Sequence, residues 1–141
     1  MTTEENEVPL EEIKYTHPPK DHLLTDFIVW ANKGLSVGIT LSVKGTIYSG
    51  KIIGGAHWCD LMAEQISSAF QDGETKEAVK DHFNNIKKEI YSDTTYDYDL
   101  IEFIHLESVK VYQGSQLIPA PDTVWRLKVG EVDGFSIGYW S

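Results

Sequence analysis

The chain has 141 residues, enough for one domain that buries roughly two-thirds of the surface its unfolded form exposes. Acidic residues outnumber basic ones 22 to 12, and the net charge of −10 argues against nucleic acid or an anionic membrane as the main partner, because both demand a net basic face. The single cysteine, Cys59, rules out an intrachain disulfide and fits a reducing compartment. The acidic start MTTEENEVPLEE has neither the basic nor the apolar segment of a signal peptide, and no apolar run approaches the ~18 residues of a membrane span, so a cytoplasmic location is expected.

Residues 1–20 read as a flexible acidic arm ending near Pro18-Pro19, a pair that favours extended backbone, and residues 21–141 read as one domain. A helix is predicted over residues 21–33, capped by Asp21 or Thr25. Its apolar residues Leu23, Leu24, Phe27, Ile28 and Ala31 recur at three-and-four spacing, with Trp30 at the edge of the stripe and Gly34 at the C-terminal stop. The period then changes to two. Val37, Ile39, Leu41 and Val43 alternate with small or polar residues, Lys44-Gly45 supplies a tight turn, and Thr46–Ile53 makes the second strand of a β-hairpin. Gly50, inside that second strand, marks a bulge or a bend.

Gly54-Gly55 ends the hairpin. Trp58, Leu61, Met62, Gln65, Ile66, Ala69 and Phe70 repeat at helical spacing over residues 56–70. After Asp72-Gly73 a second helix, capped by Thr75, carries Val79, Phe83, Ile86 and Ile90 on one face. Lys76, Lys80, Lys87 and Lys88 alternate there with Glu74, Glu77, Asp81 and Glu89, which describes a solvated face of mixed charge. The two helices form a hairpin packed on the sheet. An acidic linker over residues 92–99 leads to a long strand over residues 100–112, whose alternation slips at Glu107-Ser108 as one extra residue would make it slip. A strand over residues 123–129 sets Trp125, Leu127 and Val129 on one face and Val124, Arg126 and Lys128 on the other, and Phe135, Ile137 and Tyr139 alternate in the last strand. The fold class is α+β: a mostly antiparallel, bent sheet of about five strands, with an N-terminal helix and a helical hairpin inserted after the first β-hairpin.

The chain lacks both standard glycine-rich phosphate cradles, and Gly54-Gly55 reads as a strand-to-helix turn. His57 and Cys59 are two residues apart, but no second His or Cys pair completes a zinc set, so no metal site is expected. Asp93, Asp97 and Asp99 resemble a loose calcium run, yet Tyr98 and His105 occupy the positions where an EF-hand loop needs glycine and glutamate. Cys59 with His105 as its base is the remaining route to nucleophilic chemistry; a buried, structural cysteine is the simpler reading. No catalytic residue and no cofactor are expected. Arg126, the only arginine, lies beside Trp125 and reads as pairing internally with Glu131 or Asp133, or else as anchoring a partner.

Several motifs are similar to those of a known family. FIHL at 103–106, V-x-V-Y-x-G at 109–114, WR at 125–126 and EVDGF-x-x-G at 131–138 resemble the GvpU family of accessory gas-vesicle proteins. The hairpin I-T-L-x-V-x-G at 39–45 and SGKII at 49–53 resemble it too. The resemblance implies an auxiliary, non-enzymatic protein linked to vesicle assembly or clustering, with the vesicle shell or other gas vesicle proteins as partners. Exposed aromatics and open sheet edges offer the means for docking and for a homo-oligomer, and the candidate interaction residues are Trp125, Arg126, Phe135, Tyr139 and Trp140. The alternative is a small ligand- or RNA-binding barrel of the Sm or OB kind, suggested by the bent hairpin and its glycines.

Overall fold

A computed structural model of the chain describes residues 20–92, 98–119 and 123–140. The expected arm therefore lies outside the described residues, apart from Lys20, as do Asp93 and Asp97 of the acidic linker.

Helix α1 spans His22–Asn32. Asp21, not Thr25, is its cap: the Asp21 carboxylate accepts from Leu24 N at 2.9 Å, while the Thr25 hydroxyl donates back to Asp21 O. Leu24, Ile28 and Ala31 form the buried stripe, and Leu23 falls off it at 51 % exposure. Strands β1 (Gly38–Val43) and β2 (Thr46–Ile53) pair antiparallel across Lys44 and Gly45. Both turn residues have positive φ, 50° and 88°, as a two-residue hairpin turn that matches strand twist requires. Helices α2 (Gly55–Ser67) and α3 (Gly73–Ile90) follow. Asp72 caps α3, accepting from Glu74 N and Thr75 N; Thr75, the expected cap, instead donates its hydroxyl to Asp72 at 2.6 Å.

Strand β3 runs Phe103–Gln113, β4 is Gln116–Leu117, β5 is Thr123–Lys128 and β6 is Gly134–Ile137, with a 3-10 turn, Val129–Glu131, between the last two. All six strands belong to one antiparallel sheet in the order β4-β3-β2-β1-β6, with β5 also on β3. The strand beyond the expected five is β4, two residues that fold back through Gly114 onto Tyr112 and Gln113 and are too short to leave a periodic signal. The last strand is shorter than its alternation suggests. It ends at Ile137, and Gly138, with φ +114°, turns the chain so that the Tyr139 ring crosses to the opposite face and packs over Gly38.

The slip expected at Glu107-Ser108 and the bend expected at Gly50 are one feature. Both neighbours of β3 lose register there: Ser49 pairs with Lys110 but Lys51 with Glu107, and Leu106 pairs with Trp125 but Val109 with Thr123. The extra residue therefore belongs to β3, and Ser108 takes the left-handed φ of +53°. Gly50 lies opposite it. A Cβ on Gly50 would come within 2.9 Å of the Glu107 carbonyl and 2.8 Å of a Val109 methyl.

The bent sheet wraps one core. Ile39 and Leu41 of β1, Ile52 of β2, Ile104, Leu106 and Val109 of β3 join Val129 and the α1 stripe, with Trp125, Leu127 and Phe135 packed at the margin. The ends of the sheet thus share a cluster, and Tyr48 meets Trp125 edge-on across the intervening β3, at 4.9 Å between ring centroids. The outer face carries a second, smaller cluster. Trp58 and Cys59 of α2 press on Ile53, with Phe83, Ile86, Tyr91 and Val124 around them. Burial of each large apolar side chain in these clusters stabilises the fold by about 1.5–3 kcal/mol.

Gly50→Ala is expected to lower stability by about 1–3 kcal/mol, since a backbone carbonyl cannot move aside. Gly134→Ala, with nothing within 4 Å of its added methyl, is the control and is expected to be near neutral. Urea midpoints of the two variants check this.

Candidate functional site

The residues that sequence chemistry singles out divide between the two faces of the sheet. On the outer face, beneath the α2–α3 hairpin, the structure gathers Trp58, Cys59, Tyr91, His105 and Arg126. His105 of β3 is buried, its ring 4.6 Å from that of Trp58 and 6.0 Å from that of Tyr91. Its Nε2 has no hydrogen-bond partner. Burial, reinforced by the nearby Arg126 guanidinium, lowers its pKa from 6.5 to about 3. A base must accept a proton near working pH, and this imidazole resists one. Cys59 is buried too, and burial, with Asp60 beside it, raises its thiol pKa, so the nucleophilic thiolate is disfavoured. The fold brings Cys59 and His105 into one cluster but activates neither.

His57 and Cys59 do not act together. Two residues apart on a helix, they project about 200° apart. Cys59 enters the cluster, while His57 reaches Glu107 at 3.4 Å, beside Lys51. Among the described residues no group of three or more His, Cys, Asp or Glu side chains could hold a metal ion. The Gly54-Gly55 amides are not an open anion cradle either: Gly55 N–H donates to Asn32 Oδ1 at 2.8 Å, and the ring of Tyr91 lies where a Cβ on Gly55 would be.

Arg126 does not pair with Glu131 or Asp133. Its guanidinium lies 3.7 Å from the centre of the Phe103 ring and 4.7 Å from that of Trp58, a cation–π contact that ties β5 to β3 and α2. The two acids are taken by the hairpin turn: Lys44 Nζ meets Glu131 at 2.8 Å, and Lys44 N–H donates to Asp133 at 2.6 Å. That exposed pair raises the pKa of Lys44 and lowers that of Glu131, each through its hydrogen bond with the other.

The remaining candidates lie along the sheet's end strands and tail. Trp125 is half-buried against the core and its buried Nε1 has no partner. Phe135 packs on the core margin 6.1 Å from the Phe27 ring, which in turn meets Trp30 edge-on at 5.2 Å. Tyr139 and Trp140 are 60 % and 44 % exposed. The tail that carries them is held by Trp140 N–H donating to Ser49 Oγ at 2.8 Å and by the Trp140 ring against Tyr112. Ile137, 54 % exposed on the same face of β6 as Phe135 and so on the face opposite the Tyr139 ring, is a further exposed apolar residue, and the alternation of the last strand concealed it by reading as core. The structure thus brings Phe135, Tyr139 and Trp140 to one edge and its flanking tail, and leaves Trp125 and Arg126 at the other end of the sheet.

A small α+β protein with chemically quiet clusters and apolar end strands is the class that this geometry defines. A family profile described as gas vesicle protein GvpU-like matches residues 21–140, nearly the whole described structure and including the Tyr139-Trp140 tail. The chain belongs to the GvpU-like family of gas vesicle proteins, an accessory family that is not a known enzyme family. Neither the curated proteins nor the solved structures compared with it contain a significant match.

The buried histidine has a consequence for stability. As pH falls, the unfolded chain takes up a proton near pH 6.5 that folded His105 refuses until about pH 3, so the unfolded state binds more protons in between. The stability due to neutral burial is whole above pH 6.5 and is lost as pH falls toward 3. Lowering the pH from 7 to 5 is expected to cost about 2 kcal/mol through this group, and His105→Phe is expected to flatten that slope. Denaturant titrations of both proteins at the two pH values check it. In the native protein Cys59 is expected to react with an aromatic disulfide reagent at least roughly a hundredfold more slowly than in the unfolded chain, the reaction waiting on local opening.

Proposed function

We propose that this protein is a non-catalytic accessory of gas vesicles, acting in their assembly or clustering through contacts with the shell or other gas vesicle proteins and through self-association in the cytoplasm. The observation that carries the reading is the pair of exposed rings Tyr139 and Trp140, which follow β6 on the outer face of a chain of net charge −10. An apolar patch on an otherwise strongly charged, mutually repelling surface is a feature of proteins that bind other proteins. Family membership supports the vesicle as the setting, and the inert Cys59–His105 cluster supports a role without catalysis. Among the described residues no helix is long and apolar enough to cross a membrane.

A ligand- or RNA-binding barrel is the weaker reading. The bent sheet has the required shape, but the cleft at the β5–β6 connection, about 590 Å³, sets Asp99, Glu102 and Glu131 against Lys20 and Lys128. Three acids against two bases disfavour a phosphate backbone.

Purified protein mixed with isolated gas vesicles is expected to rise with them during flotation and to increase their clustering. Light scattering without vesicles is expected to show particles that grow reversibly with protein concentration, and more at higher salt, because screening relieves repulsion between acidic copies. A protein that stays in the subnatant and remains monomeric at every concentration and salt overturns the reading.

A further inference from the structure

The tail that follows β6 is pinned to the outer face, yet it turns its rings toward solvent. Gly138 N–H donates to Gly38 O, the Thr40 hydroxyl donates to Gly138 O, and Trp140 N–H donates to Ser49 Oγ, each at 2.8 Å. Thr40 and Ser49 are buried and hydrogen-bonded to each other at 3.1 Å, so the two hydroxyls form one fixed anchor. The Tyr139 ring rests over Gly38, where a Cβ would come within 2.7 Å of it, and the Trp140 ring leans on Tyr112. Both rings are nevertheless exposed, by 60 % and 44 %. An anchored backbone removes part of the ordering that binding otherwise costs.

Strand β4 adds a third exposed apolar side chain. Leu117 is 47 % exposed and opposes Tyr112, and residues opposed in an antiparallel ladder share a face. The strands beneath and beside the tail contribute residues 38–42, 47–49, 110–112 and 134–136. None of these is acidic, and Lys110 is their only charged residue. A chain with 22 acidic residues thus has, among the described residues, a half-face of its sheet without strand carboxylates.

We propose that this half-face is where two copies of the chain meet, rings against rings, about a two-fold axis. The inference rests on the self-association part of the functional reading and names its surface. Charge selects the occupant. Copies of net charge −10 repel one another, and a contact made here sets no strand carboxylate of one copy against one of the other. A basic partner would find its complement on the acidic parts of the surface instead. Because the same patch serves both sides, the contact is isologous and closes at two copies. Three exposed side chains supply only part of the roughly 800 Å² per partner of a standard interface, so the pair forms reversibly and gains from salt that screens the acids elsewhere.

Sedimentation equilibrium of the full chain tests the pairing. Tyr139→Glu and Leu117→Glu place a carboxylate in the patch from two different elements. Each is expected to weaken the pair roughly tenfold or more, because the two-fold axis brings a like charge in from the other copy. Ile137→Glu is the matched control. It adds the same charge at a residue that is 54 % exposed on the opposite face of the sheet, and it is expected to leave pairing nearly unchanged. Equal weakening by all three variants, or by none, overturns this surface and leaves self-association to another one. Assemblies that grow past two copies overturn the two-fold closure. A wild-type chain that is monomeric at every concentration and salt overturns the pairing itself. If that monomer still rises with vesicles and Tyr139→Glu does not, the rings serve the vesicle, and the functional reading stands without self-contact.

Discussion

Nothing larger than hydrogen fits at Gly50. Across from it β3 carries one residue more than its neighbours, Ser108 is forced into a left-handed conformation, and the Glu107 carbonyl approaches the Gly50 Cα side. This insertion bends the two longest strands together, and the bend is what allows a single sheet to enclose its own core. Residues at opposite ends of the sheet, Trp125 and Phe135, reach the same apolar cluster only because of it. A flat sheet of these strands would leave α1 alone to cover Ile39, Leu41, Ile52, Ile104 and Leu106.

With the core on the inside of the curl, the outer face needs separate cover. The α2–α3 hairpin takes the half beside Ile53, His105 and Val124, and the returning tail takes the half beside Gly38, Ser49 and Tyr112. This division explains why the residues with chemical potential are quiet. His105 and Cys59 serve as apolar surface under a helix, and a site that excludes water without supplying a partner charge favours their neutral forms. Arg126 lies against two rings at the rim, where its guanidinium contributes about 0.5–2 kcal/mol while remaining in touch with solvent. The parts that the cover does not reach are the end strands and the exposed rings beside them.

Along the path from β6 through β1, β2 and β3 to β5 each strand is antiparallel to the last, so the strands that end this path run in the same sense. Edges of this kind are a hazard that proteins usually block with charge or bulges. Here β5 bears Arg126 and Lys128 and β6 is only four residues long, features that limit indiscriminate pairing. A net charge of −10 makes copies of the chain repel one another.

Local order was legible in the sequence because it obeys local rules. Alternation in β1 and β2, the Lys44-Gly45 turn, the stripe of α1, the amphipathic α3 and even the slip at Glu107-Ser108 depend on backbone preferences and side-chain period within a few residues. The motifs at 103–114 and 131–138 also made the family recognisable. What neighbours decide was not legible. The caps went to Asp21 and Asp72 where Thr25 and Thr75 competed, and Arg126 found rings instead of Glu131 or Asp133 because α2, distant in sequence, delivers Trp58 to it while Lys44 takes the two acids. The sequence by itself determined the kinds of elements, their order and the absence of standard catalytic motifs, since these follow from periodicity, turn chemistry and motif spacing. Only the tertiary structure decided which apolar residues stay exposed and which of the described strands end the sheet, because Ile137 and Tyr139 have the alternation of a buried strand and are sent to the surface by the limits of the curl and by the turn at Gly138.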